Sequence, residues 1–361
     1  MKTNNEFNVY FWNKITIKDK ALLYEHLSNL IDGGVTATNA LKGFLDKTLN
    51  PKLGLEITNL LLFIESGDSF STAMKKMPFV FNRKEVAIIE AGESSGTLQK
   101  SFLNLSKQLN EEEDLRRKVK GALTYPTIIL LFLIIAVFVI MTYVIPKIQP
   151  LFESTGIELP LSTRALIFVS EFFINDFYTI IIGLLIAVFS FKAYIKTNSG
   201  KRMIDDFYIS IPLVGTVYKN YLLAQIASNL GLLIGAGIPI VKTFALTGDS
   251  SNNSIYKEII YNVSKSVSSG KKITQSLEDA DPQHKYFKND FVQMIEAGEK
   301  TSTINKVCDK IAYQYSKEVD SSLAILMKWI EPAALLIAGI FVLWFAFAIF
   351  SAVLKITETV S

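Results

Sequence analysis

Cysteine and histidine are almost absent from the chain. Its 361 residues hold one cysteine, Cys308, and two histidines, His26 and His284. A single cysteine excludes an internal disulfide, a Cys-rich structural zinc site and any C-x-x-C redox pair. Two histidines leave little material for His-based catalysis or metal ligation. A phosphate-cradling loop is missing as well. The G-x-x-x-x-G-K-[ST] pattern fails at Gly200-Lys201 and Gly270-Lys271, where Ile195 and Lys265 occupy the place of the first glycine. Any nucleotide energy therefore comes from a partner, and no cofactor is implied. Nor does one sign of charge dominate: 37 Lys+Arg face 34 Asp+Glu, a net charge of +3. That balance excludes a whole-chain electrostatic footprint for nucleic acid.

Apolar residues are what the sequence does have, 50% of the chain against 20% charged. Thr127 to Ile145 is an uncharged run of 19 residues, and Pro332 to Leu354 one of 23 with Trp329 just before it. A helix of about 20 apolar residues spans the hydrocarbon core, since only internal backbone hydrogen bonding is satisfied there. A third run, Phe177 to Tyr194, carries Lys192 near its end, where the side chain can reach the headgroups. The start of the chain shows no apolar signal core. Arg116, Arg117, Lys118 and Lys120 precede the first run, whereas residues 146–176 carry only Lys147 and Arg164. The positive-inside rule then places the N-terminus and residues 196–329 in the cytoplasm and the C-terminus outside. The lipid bilayer is thus a partner of the chain.

The two polar stretches repeat each other. His26–Leu41 (HLSNLIDGGVTATNAL) answers Asn229–Phe244 (NLGLLIGAGIPIVKTF), and Ile89–Leu98 (IEAGESSGTL) answers Ile295–Ile304 (IEAGEKTSTI). Each ends at a proline before an apolar run, within Tyr125-Pro126 and Glu331-Pro332. Ordered blocks at nearly constant offset indicate an internal duplication. Apolar spacing is helical throughout, as in Leu23, Leu27, Leu30, Ile31 and in Leu222, Ile226, Leu230, Leu233. Asn50-Pro51 and Asp281-Pro282 read as N-cap and first-turn proline, and Gly33-Gly34 and Gly67 as breaks. The expected fold is all-α: a polytopic membrane protein with two duplicated cytoplasmic helical bundles and three transmembrane helices. The expected divisions are an N-terminal segment 1–19, repeat one 20–124, span one 125–145, a far-side loop 146–176 and span two 177–195. A linker with repeat two at 196–329, span three at 330–354 and an external tail at 355–361 complete them.

Chemistry-bearing motifs are few. Gly92-Glu93-Ser94-Ser95-Gly96 fits the G-x-S-x-G nucleophile elbow, but its flanks are helical and repeat two reads Gly298-Glu299-Lys300-Thr301-Ser302. The competing reading is a helix–turn–helix junction in which Gly92 permits close packing and Ser94 or Ser95 caps the next helix. Glu90 with Glu93, and Glu296 with Glu299, place carboxylates three residues apart in both repeats. They either cap or salt-bridge the turn, or accept a partner's basic residues or a hard cation such as calcium. In Glu111–Lys120 (EEEDLRRKVK), Glu112, Glu113 and Asp114 stand four residues before Arg116, Arg117 and Lys118, the favourable order for intrahelical pairs. Neither first nor third run contains an ionisable residue, which weighs against an ion-coupled transporter, the alternative from another functional class.

Ala91–Leu98, Tyr125-Pro126, the stretch Pro146–Thr163 (PKIQPLFESTGIELPLST), Ile211–Gly215 and Gly235–Ile240 together resemble the type II secretion F family. These are inner-membrane platform proteins of type IV pilus and type II secretion machines. The resemblance runs from about Lys20 to Leu354. It implies a non-enzymatic, mechanical role as a homo-oligomer, expected to be a dimer. The implied partners are a hexameric cytoplasmic assembly ATPase, pilin or pseudopilin subunits and other inner-membrane assembly proteins. Two departures stand out. The chain is expected to lack the longer N-terminal region of many members, so that an ATPase contact made there is reduced or made elsewhere. Ser302 replaces the glycine of Gly96, so that the second turn is expected to differ or to have lost a contact.

Overall fold

In the computed structural model, residues 14–153 and 160–360 are described, and every regular element among them is helical. Helices α1 Ile17–Asp32, α2 Ala37–Leu45, α3 Pro51–Glu65, α4 Phe70–Lys75 and α5 Arg83–Ser94 lead into the long α6 Leu98–Val139. A π-helical turn, Ile140–Val144, joins α6 to α7 Ile145–Glu153. Then follow α8 Leu161–Asn175, α9 Phe177–Ile195, α10 Asn198–Ser210, α11 Val214–Gly235, α12 Ile240–Ser250, α13 Ser254–Ser268, α14 Ile273–Ala280, α15 Asn289–Lys300 and α16 Ile304–Val360. Two units form. One holds the described residues up to Lys118 together with Asp205–Asp320; the other holds the described residues of Val119–Ile204 and those from Ser321 onward.

Local chemistry sets the boundaries in the first unit. The Thr16 hydroxyl accepts from Asp19 N–H while the Asp19 carboxylate accepts from Thr16 N–H, a capping box at the start of α1. Asn50 caps α3 with Pro51 at its first position, as its sequence indicates. Gly34 and Gly67 take φ of +82° and +102°, the left-handed backbone that ends α1 and α3. Asp281-Pro282, by contrast, starts no helix. Asp281 closes α14, and its carboxylate accepts from the N–H groups of Lys285, Tyr286 and Phe287 at 3.1, 2.8 and 2.8 Å. An aspartate side chain satisfies loop amides as readily as helix-start amides, and here the loop wins.

The helical periodicity buries one stripe per helix. Leu23, Leu27, Leu41, Ile57, Leu60, Phe102 and Leu105 are all essentially inaccessible and share one core, which Leu233 of α11, Ile238 and Leu246 of α12 also join. Each such side chain contributes about 1.5–3 kcal/mol by leaving water. The second unit is held differently. Met141, Ile145, Leu166 and Ala348 form a small core. Thr163 Oγ1 donates to the Ala348 carbonyl, and Ser170 Oγ to the Met141 carbonyl inside the π-turn. Small and hydroxyl side chains let apolar helices approach closely and serve carbonyls that a π-turn displaces.

Among the described residues two helices are long and apolar enough to cross a membrane, over Leu98–Pro150 and Ile304–Lys355. The two prolines at which the repeats end lie inside continuous helices, Pro126 in α6 and Pro332 in α16. Around Pro126 the hydroxyls of Thr124 and Thr127 donate to the carbonyls of Lys120 and Leu123, four residues back, as hydroxyl side chains do inside a helix. The stretch 146–176 expected as a loop is also largely helical, in α7 and α8. Residues 154–159 of that stretch, and residues 1–13 and 361 of the expected terminal segments, lie outside the described residues.

Candidate functional site

The two IEAGE blocks build matching corners. At the end of α5, Thr97 N–H donates to Gly92 O at 2.7 Å and Gly96 N–H to Glu93 O at 3.4 Å, with Gly96 at φ +67°. At the end of α15, Thr303 N–H donates to Gly298 O at 2.9 Å and Ser302 N–H to Glu299 O at 3.4 Å, with Ser302 at φ +56°. Both have the left-handed helix stop with its paired backwards bonds. The serine thus adopts the glycine's backbone, and the expected difference between the two turns is absent. Ser94 and Ser95 do not cap α6. Their hydroxyls donate to the carbonyls of Glu90 and Ala91, four residues back, as serine does inside a helix. The G-x-S-x-G match is therefore a helix end, with no strand before it.

The carboxylates of the pairs diverge. Glu93 Oε1 accepts from Phe70 N–H at 2.7 Å, and Oε2 accepts from Ser71 N–H at 3.1 Å and Ser71 Oγ at 2.5 Å. Glu299 repeats this: Oε1 accepts from Ile273 N–H at 2.7 Å, and Oε2 from Thr274 N–H at 3.2 Å and Thr274 Oγ1 at 2.8 Å. Each closes the first turn of a short helix, α4 or α14, where orphan amides and the helix dipole favour an anion. Burial pushes the Glu93 pKa upward, but the Ser71 hydroxyl with the Ser71 and Phe70 amides outweighs it. The net displacement is downward from the usual carboxylate value. Both oxygens of each glutamate are thus engaged within the chain. Glu90 and Glu296 lie on the surface instead, Glu90 3.7 Å from Lys242 Nζ and Glu296 2.6 Å from Lys300 Nζ. Among the described residues no group of three or more His, Cys, Asp and Glu side chains gathers as a metal site.

Gly92 sits in close packing. A Cβ there would lie 2.1 Å from Ser101 Oγ and 2.8 Å from Ser101 Cβ, so α5 and α6 cross in contact. At Gly298 the corresponding neighbour is Val307 Cβ at 3.1 Å. Of the basic residues before the first apolar run, Arg116 and Arg117 meet Glu112 at 3.8 Å and Glu113 at 3.2 Å in the expected i,i+4 register. Lys118 does not pair with Asp114 as the register suggests; it reaches Asp320 of α16 at 2.9 Å. Lys120 and Tyr125 are exposed on α6, and Glu331 and Pro332 on α16.

One polar cluster had no sequence signal at all. Lys84, almost fully buried in the first turn of α5, donates to Asn229 Oδ1 of α11 at 2.7 Å and Gln108 Oε1 of α6 at 3.1 Å. Gln108 Nε2 donates to the same Asn229 oxygen at 2.5 Å. Burial drives the Lys84 pKa down; Glu112 and Glu85 pull it up, and Lys20 adds to the fall. Next to it Glu85 binds Lys20 Nζ at 2.9 Å while completing the capping box with Asn82. A cavity of about 410 Å³ beside the cluster is lined by Gln108, Glu111, Gln225, Asn229 and Asp309. A lysine or asparagine inside an amphipathic pattern looks like any solvent-facing residue, so only tertiary packing reveals the cluster. Cys308 is fully buried, and burial followed by the Asp309 charge lifts its thiol to about 12, which removes it as a nucleophile.

The sequence profile of the type II secretion system (T2SS) protein F family matches twice, over residues 23–146 and 226–352. Each match contains one Glu-closed corner and the helix that follows it. The chain is similar to the type IV pilus assembly protein PilC of Thermus thermophilus, at 29% identity over 96% of this chain and 84% of the relative. It is similar to the type IV pilus assembly protein TapC of Aeromonas hydrophila at 26% identity, covering 96% and 83%. With the type II secretion system protein F of Pseudomonas aeruginosa it shares 23% identity over 97% and 85%. With its two profile matches covering well over half its length, the chain belongs to the type II secretion system protein F family.

Proposed function

We propose that the chain is an inner-membrane platform protein of a type IV pilus or type II secretion machine, built from two copies of one cytoplasmic helical bundle and three membrane spans. The spans are the apolar parts of α6 and α16 together with α9, with the N-terminus in the cytoplasm and the C-terminus outside. The carrying observation is the recurrence of one corner. The same Glu-closed turn, at Glu93 and at Glu299, delivers the chain into a helix that continues without a break into an apolar segment. The double family match supports the duplication independently.

Such a corner suits a transmitter of force. The glutamate ties α4 or α14 to the corner, the left-handed stop fixes the direction of the next helix, and that helix carries displacement through Pro126 or Pro332. The platform takes conformational work from a hexameric cytoplasmic ATPase and passes it to pilin-like subunits as they enter or leave the membrane. It works as a homo-oligomer and catalyses no reaction itself. The relatives' names, given for pilus assembly and for type II secretion, support this assignment.

Co-purification tests it. The full chain in mild detergent retains the assembly ATPase of its own host, and the charge-reversed variant Glu90→Lys with Glu296→Lys, altered only on the surface, locates or excludes those exposed carboxylates as part of the contact. A chain that binds neither the ATPase nor a pilin-like subunit would contradict the reading.

A further inference from the structure

Helix α10 carries an apolar face that the bundle does not use. Asp205 and Ile209 are buried on one side, where the Asp205 carboxylate accepts from Ser254 N–H at 2.7 Å and Ser254 Oγ at 2.6 Å. On the other side Met203 and Phe207, one turn apart, point outward, with Phe207 63% exposed. Tyr208, Leu213 and Val214 extend the exposed apolar surface past the helix end.

Two glycine corners and one strained residue hold this surface in place. Gly200 sits where a Cβ would meet the Tyr194 carbonyl oxygen at 2.1 Å, so α10 turns off sharply after α9. Gly215 is equally tight against the Ile209 carbonyl at 2.2 Å. Between them Leu213 adopts φ +64°, ψ −57°, and Val214 N–H donates to Pro212 O at 2.8 Å across it. That is a γ-turn of the rare, strained hand, at a branched side chain that disfavours positive φ. Such strain persists only where the surroundings impose it and recurs at working sites. Its effect here is to hold a leucine outward, 39% exposed.

Only Lys196 and Thr197 separate α9 from α10. If α9 crosses the membrane, α10 starts at the headgroups, and about 13 Å of helix rise takes it to Phe207. Exposed Lys192, Lys196 and Lys201 flank the corner with the charge that phospholipid phosphates attract. We propose that α10 and the Leu213 turn form a membrane-surface anchor, with Met203, Phe207, Tyr208 and Leu213 seated in the interfacial region of the phospholipid bilayer. Aromatic and aliphatic side chains above a basic corner match the composition of such interfacial segments. This inference rests on reading α9 as a membrane span.

The test uses the full chain carrying Cys308→Ser, reconstituted in nanodiscs of phosphatidylcholine and phosphatidylglycerol. Single-cysteine variants Phe207→Cys, Ile186→Cys and Lys257→Cys are labelled with an environment-sensitive fluorophore. Lipids bearing a quencher near the headgroup, or deep in the acyl chain, are then added. The Phe207 label is expected to emit blue-shifted and to lose most of its signal to the shallow quencher, and the Lys257 label to keep a water-like, unquenched emission. Tyr208→Cys, assayed likewise, guards against a local misfold at Phe207. Water-like, unquenched labels at both 207 and 208 would overturn the proposal. So would a blue shift without lipid quenching, since a protein surface, a second copy of the chain included, would then cover the face. The Ile186 label separates the two readings: loss of its deep quenching refutes α9 as a span, whereas deep quenching at 186 with none at 207 and 208 refutes the anchor alone.

Discussion

Gly96 and Ser302 stand 206 residues apart in sequence and hold the same left-handed backbone, φ +67° and +56°, under the same two backwards hydrogen bonds. Serine bears a strain there that glycine does not, partly offset by the larger chain entropy glycine loses on folding. Ser302→Gly should therefore stabilise the chain by about 0.5–1 kcal/mol, and Gly96→Ser should destabilise it by a similar amount. Thermal unfolding of the full chain in detergent reads both; opposite signs are the expected result.

Glu93 acts through the first turn of α4. Glu93→Ala leaves the amides of Phe70 and Ser71 without their acceptor and should cost about 1–2 kcal/mol, with Glu93→Gln losing less because one acceptor oxygen remains. The pH dependence follows from the downward-displaced pKa. A carboxyl with a lower pKa when folded stabilises fully above its unfolded value of about 4.3, and loses that contribution as pH falls through the folded value. Wild type and Glu93→Gln should thus differ at neutral pH and converge on acidification.

Gly92 tests the helix crossing. Gly92→Ala places a Cβ against Ser101 and should cost about 1–3 kcal/mol. Ser101→Gly in the same chain should recover part of the loss, because it removes the two nearest atoms that the new methyl meets and leaves only Thr97 O at 3.3 Å. Unfolding midpoints of the single and double variants check it.

Lys84 is a buried charge that depends on Asn229. Asn229→Ala removes the acceptor at 2.7 Å and should destabilise by about 2–3 kcal/mol. Lys84→Met keeps the stem, leaves Gln108 and Asn229 bonded to each other, and should be near neutral. Because burial lowers the Lys84 pKa, the unfolded chain binds that proton more tightly. Stability relative to Lys84→Met should therefore rise with pH through the lowered value up to about 10.4. Denaturant titrations of both chains from neutral to alkaline pH measure that difference.

Where sequence reasoning succeeded, the signal was local or periodic. Asn50-Pro51 specifies its own cap, Gly34 and Gly67 their own left-handed stops, and the i, i+4 spacing of Leu23 and Leu27 their common burial. The repeated IEAGE blocks located both corners, although only the fold shows that Glu93 and Glu299 close helices 23 and 26 residues upstream. Local rules failed where a distant partner decided the outcome. Asp281 was taken by loop amides, Lys118 by Asp320, and Lys84 by Asn229. Pro126 and Pro332 lie within continuous helices, which a propensity scale for water does not foresee.

The most direct test of the platform assignment is filament assembly in the cell. Deleting the chain from its host, with the assembly ATPase and the pilin-like subunits still present at normal levels, should abolish surface filaments or secretion. Re-expression of the wild-type chain should restore them. Normal filaments and normal secretion in the deletion strain would contradict the account.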